Sequence, residues 1–248
     1  MKKNLLLVLA FILAMQMDSI IAQDVTTETS SEESQNFGIG ADFVNQYIWR
    51  GLQFSTSPNV QPYLTYTNKK ENFTIGTWSS YSLADFYGEV DIFASLNLGP
   101  FTVSLWDYFT MSQQENNHYF DYRKNSTTHS LEGTLAYNGP ESFPIQLTWA
   151  TFFYGYDQNE NGENYYSSYF EAAYLFKWRK NELKVFAGIT PWEGLYGTEF
   201  AMNNVGISNA RLIQINQNFS IPISAALSFN PHQENIFLVL TIGLSAND

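Results

Sequence analysis

The sequence predicts an all-β chain: a transmembrane, antiparallel up-and-down β-barrel of 12 strands, with short turns at one end and longer loops at the other. Three observations predict it. Apolar and polar side chains alternate with period two, the mark of strands with two different faces. The connections between these segments alternate between tight and long, as in outer-membrane barrels. The many aromatics (20 Phe, 16 Tyr and 6 Trp) gather near segment ends, where amphipathic rings meet membrane interfaces.

The N-terminus reads as a targeting signal. Lys2 and Lys3 precede an apolar run from Leu5 to Met15, and Ile20-Ile21-Ala22 precedes Gln23. A short basic region, an apolar stretch too short to span a bilayer and a small residue at the cut describe a secretory signal peptide over 1–22. Residues 23–36 carry four acids, no base and almost nothing apolar, so a flexible acidic tail is expected there.

The barrel is expected over 37–248. Its strands are read at 37–50, 59–67, 72–80, 87–98, 101–110, 128–137, 143–154, 165–177, 183–190, 204–216, 219–229 and 236–244. Most approach the 9–11 residues, roughly, that a tilted transmembrane strand needs. Tight turns fall at 68–71, 99–100, 138–142, 178–182 and 217–218, and longer loops at 52–58, 81–86, 111–127, 155–164, 191–203 and 230–235. An even strand count puts both mature termini on the short-turn side, the periplasm. The faces agree: Phe101, Val103 and Leu105 alternate with Thr102, Ser104 and Trp106, and Ile145, Leu147 and Trp149 with Gln146, Thr148 and Ala150. The apolar set is expected to face lipid and the polar set to line the interior. Tyr47, Trp49, Trp78, Tyr81, Trp106 and Tyr108 at the outer ends, with Tyr137 and Trp178 at the inner ends, are expected as interface aromatics.

Composition narrows the function. The net charge of −12 argues against nucleic-acid binding, which needs a basic face. The absence of cysteine excludes disulfides, thiolate metal sites and cysteine nucleophiles. The expected lumen lining is Asp42, Arg50, Glu89, Asp91, Glu132, Glu171 and Lys184. Glu89 and Asp91 share one face of one strand, and a solvated pore lining explains them better than acid–base chemistry. His129 and Ser130 are neighbours in a strand and point to opposite faces, so they cannot converge as a nucleophilic pair. The loop Asp157-Gln158-Asn159-Glu160-Asn161-Gly162 matches the first half of a calcium loop. Ser168 stands where its bidentate acid is required, so Asp157, Asn159 and Asn161 form only a weak candidate.

The stretch GADFVNQYIWRGLQFSTSPNVQPYLTY (Gly40 to Tyr66), then Gly76, Trp78, Ser79-Ser80 and Glu89-Val90-Asp91, resembles the TorF-like or Gcw-chp family of bacterial envelope proteins. The likeness covers roughly 37–244 and is similar to the versions found in Bacteroidota. It implies an outer-membrane barrel of uncharacterised role and supplies no catalytic residues.

The function expected from the residues is a narrow passive diffusion channel for small solutes, and not an enzyme. Twelve strands lie between the roughly eight that fill their own interior and the 16 or so that leave an open pore. The lumen is therefore either a narrow channel or is plugged by 111–127 folding inward. The alternatives are a non-conducting barrel serving as an anchor or accessory subunit of an envelope assembly and, further off, a barrel hydrolase. No cofactor is expected. Expected partners are outer-membrane lipid, lipopolysaccharide, the barrel-assembly machinery and, for an accessory barrel, an envelope protein.

Overall fold

The computed structural model describes residues 36–111, 117–216 and 219–246, so the expected signal peptide and nearly all of the expected acidic tail lie outside the described residues. Fourteen strands form among the described residues. They are β1 (Phe37–Val44), β2 (Tyr47–Trp49), β3 (Leu52–Ser55), β4 (Asn59–Thr67), β5 (Phe73–Ser82), β6 (Gly88–Leu98) and β7 (Phe101–Thr110). Then come β8 (His129–Asn138), β9 (Ile145–Gly155), β10 (Ser168–Trp178), β11 (Asn181–Thr190), β12 (Ala201–Asn216), β13 (Phe219–Asn230) and β14 (Asn235–Ala246). β1 and β4–β14 close into an antiparallel barrel of 12 strands, sealed by β1 against β14 with Asp42 opposite Gly243. β2 and β3 form a separate two-stranded sheet. Closure removes every sheet edge, which a bilayer demands of a spanning sheet.

Register fixes the faces, because residues paired across strands point the same way. One inward row runs Tyr63, Trp78, Asp91, Tyr108, Ser130 across β4–β8, and a second runs Ser80, Glu89, Thr110. The outward set is apolar and exposed: Ile75 (45%), Leu105 (58%) and Leu147 (48%) belong to it. In water such a surface would drive aggregation; in a bilayer it is the lipid face. The hydrophobic core is inside the barrel, at the long-loop end. It consists of Leu52, Phe152, Tyr169 and Tyr196, with Trp49, Phe54 and Tyr108 packed on it.

Two expectations need correction. The first strand does not continue to residue 50. It leaves the wall after Val44, and residues 45–58 turn into the bore as the β2–β3 hairpin before β4 resumes at Asn59. Within segment 111–127, residues 117–127 do not plug the barrel: they lie against outward-facing residues, with Tyr122 stacked on His129 at 4.1 Å, Tyr119 meeting Phe109, and Tyr154 Oη donating to the Tyr122 carbonyl. Buried aromatic surface holds them to the outside of the wall, above the apolar belt.

Candidate functional site: the hairpin inside the barrel

The plug is built from a tight hairpin. Arg50 and Gly51 both have positive φ (50° and 80°), the requirement of the two-residue turn whose twist suits a hairpin. Glycine is needed at 51 for a second reason: a Cβ there would stand 1.9 Å from the Asn203 carbonyl oxygen. The opposite wall grips this turn. Asn203 Nδ2 donates to the Arg50 carbonyl at 3.1 Å, and Asn230 Nδ2 donates to the Gly51 carbonyl at 3.0 Å.

Arg50 points at the wall and is fully engaged. Nη1 donates to Glu132 Oε2 at 2.5 Å and to Tyr196 Oη at 2.6 Å, and Nη2 donates to Glu132 Oε1 at 3.0 Å. Tyr108 Oη and Thr134 Oγ1 add bonds to Glu132 Oε1. The guanidinium lies 4.2 Å over the Trp49 ring and 5.0 Å over that of Tyr169. A forked, ring-stacked arginine is what this site takes; a lysine would lose the fork and the stacking.

The stems are tied too. Asn45 and Gln46 side chains donate to the Leu238 carbonyl, and Asn45 Oδ1 accepts from the Leu240 amide. These bonds satisfy the stretch of β14 that β1 leaves when it turns inward. At the loop end, Asp85 accepts from Ser55 Oγ, from the Thr56 amide and from Thr56 Oγ1. Hydrogen bonding to Ser82 first, then to Ser55 and Thr56, holds the Asp85 carboxyl down at about 2.

Of the expected lining residues, Asp42, Glu89, Asp91, Glu132, Glu171 and Lys184 project inward from the wall, whereas Arg50 is carried by the hairpin and points from the bore to the wall. Glu132 pairs with Arg50, and Glu171 pairs with Lys184 at 2.8 Å. Asp42, Glu89 and Asp91 have no ion pair among the described residues. Tyr87 Oη donates to Glu89 Oε2 at 2.5 Å. Asp91 is 1% exposed, and its Oδ1 has no hydrogen-bond partner among the described residues. Towards the short-turn end the inward-facing side chains include the small Thr65, Ser104, Thr134, Ser208 and Ser224, with the larger Phe93 and Trp106 stacked above them.

The aromatics divide differently from expectation. Tyr81, Tyr137 and Trp178 face outward, whereas Tyr47, Trp49, Trp78, Trp106 and Tyr108 face the bore and are corrected here. Tyr47 lies 5.5 Å from Trp78, Trp49 lies 5.5 Å from Tyr108, and Trp106 stacks on Phe93 at 4.4 Å. Tyr47 and Trp49 belong to the plug, Trp78 and Tyr108 pack on it from the wall, and Trp106 stacks within the wall on Phe93 and Tyr108.

Two residues of the weak calcium candidate, Asp157 and Asn159, are engaged by the protein itself. Asp157 turns to accept from the Ser167 amide and hydroxyl, away from the loop, and burial raises its carboxyl. Asn159 Oδ1 accepts from the Asn161 and Glu163 amides. No cluster of three acids or histidines suited to a metal occurs among the described residues. His129 faces outward and bonds Asp107 Oδ1 and the Tyr119 carbonyl, while Ser130 faces a cavity in the bore.

That cavity was not legible in the sequence. It holds about 370 Å³ at the long-loop end, between the hairpin and the β6–β9 wall, and is lined by Trp49, Phe54, Tyr108, Phe152, Tyr156 and Glu89 among others.

No family model matches the chain, and no curated protein matches it. Among solved structures the barrel is similar to one described as a KdgM porin, with a TM-score of 0.50 and 7% sequence identity, covering 85% of this chain and 99% of that one. The fold is that of a porin-type barrel. At this identity the likeness speaks to architecture alone.

Proposed function

We propose that this chain is an outer-membrane channel for small solutes, narrowed by an inward hairpin, with both mature termini in the periplasm. The observation that carries it is the division of the bore. The hairpin and its aromatic partners occupy the long-loop end, while the wall towards the short-turn end presents small polar side chains such as Thr65, Ser104 and Ser224. A barrel meant only as an anchor gains nothing from a polar interior of this kind. The protein acts by positioning and exclusion, not by catalysis.

Electrostatics gives the channel a sign. Glu132 and Glu171 are neutralised by Arg50 and Lys184, whereas Asp42, Glu89 and Asp91 are not. Cations are therefore favoured in the bore. The long loops add nine acids against Arg123 and Lys124. Reversal potentials in a salt gradient test this: cation preference is expected, weakening at high salt as screening shortens. Anion preference rejects the reading.

The filling of the upper bore favours a second reading, a non-conducting barrel that anchors or assists an envelope assembly. Replacing 46–56 by a short glycine-serine linker separates the two. A channel conducts before the change and more strongly after it. An accessory barrel is silent in its native form.

A further inference from the structure

We propose that the cavity beside the hairpin is a binding site for a small organic cation carrying an apolar group. The claim concerns binding and stands whether or not the barrel conducts.

The cavity has the parts such a ligand needs. Trp49, Tyr108 and Phe152 form a mutually packed cluster, with centroids 5.5 Å, 6.3 Å and 5.7 Å apart. Phe54 extends this wall, and the exposed ring of Tyr156 also lines it. Aromatic faces carry negative potential and attract an ammonium, more strongly when water is excluded. A volume of about 370 Å³ lies in the range of small-molecule sites.

Charge then selects the ligand. Glu89 is the carboxylate in the lining, and it meets no base among the described residues. Asp91 stands one inward position deeper on the same strand, with Oδ1 buried and unpartnered. Arg50, the cation on the hairpin, is committed to Glu132 and does not line the cavity. Glu89 already accepts from Tyr87 Oη and Asp91 lies buried behind it; an anion would bring further acceptors to these carboxyl oxygens, and an apolar neutral ring would donate nothing to them. A ligand that supplies the missing positive charge fits best.

The test uses the detergent-solubilised full-length barrel and titration calorimetry with three probes on one ring: phenethylammonium, 2-phenylethanol and phenylacetate. Phenethylammonium is expected to bind, 2-phenylethanol to bind about tenfold more weakly, and phenylacetate not at all. Glu89→Gln is expected to lower the affinity for the cation by about tenfold and to leave that for the alcohol unchanged. Leu195→Trp, a loop change at the cavity lining, is expected to abolish both without disturbing the wall. Equal affinity for cation and alcohol, no cation binding, or indifference to both substitutions overturns the proposal. Should Glu89→Gln fail to fold, the probe series and Leu195→Trp decide alone.

Discussion

Arg50 Nη1 and Glu132 Oε2 meet at 2.5 Å although 82 residues separate them in the chain, one on the inward hairpin and one on the wall of β8. Glu132 is fully buried and Arg50 nearly so. Neither charge can be left alone there without large loss.

Breaking this pair is therefore expected to loosen the hairpin first. Arg50→Ala should destabilise the native barrel by about 3–5 kcal/mol, because it strands a buried carboxylate. Urea titration of the heat-modifiable band on a gel reads the change. Arg50→Met with Glu132→Met should recover most of the loss; an additive double mutant would show that the two do not act as a pair.

Acid should release the rim before the bore. The folded Asp85 carboxyl sits at about 2, below its ordinary value of 3.8. A depressed carboxylate contributes stability that is complete above its unfolded pKa and lost as pH falls through its folded one. The Ser55–Thr56 latch should thus hold at pH 5 and open between about pH 4 and 2. Hydrogen exchange at the Thr56 amide measures it, and Asp85→Asn should exchange fast at every pH.

Lipid facing is tested by depth. Ile92→Arg, mid-strand on the outer face, should cost about 2–4 kcal/mol, and Leu98→Arg at the strand end less than about 1 kcal/mol. If Phe93→Arg, on the inner face, proved the more tolerant of the three to bilayer thickness alone, the faces stand; if Ile92→Arg were neutral, they are reversed.

Topology follows from the connections. An epitope inserted at Asn159 should be reached by antibody on intact cells, and one at Asn138 only after permeabilisation. Labelling at Asn138 on intact cells would invert the proposed orientation.

The wall was legible because a two-faced strand writes its environment into every second residue: Val90, Ile92 and Ala94 against Glu89, Asp91 and Phe93. The plug was not, for the same reason. Tyr47 and Trp49 continue the alternation of β1 across the point where the chain turns in, so the break at Asn45 leaves no mark in the period. Trp78, Trp106 and Tyr108 sit near strand ends, as interface rings do, yet each is in phase with inward neighbours such as Ser80, Ser104 and Thr110. Phase, weighed above position, would have placed them. The cavity depends on residues from β2, β3, β6–β9 and three loops, a convergence that local pattern cannot express.

Because β1 and β4 carry the hairpin between them, its destination does not exist until the ring is nearly complete. Its partners are Glu132, Tyr196, Asn203, Asn230 and Leu238, between 82 and 193 residues away. Contacts of such separation form late and slowly. The Asn45 and Gln46 bonds to the Leu238 carbonyl tie the hairpin to the seam strand itself, so seam and hairpin share a boundary. A chain that closes with the hairpin outside would leave Arg50 unpaired and Glu132 stranded, at a large cost in stability.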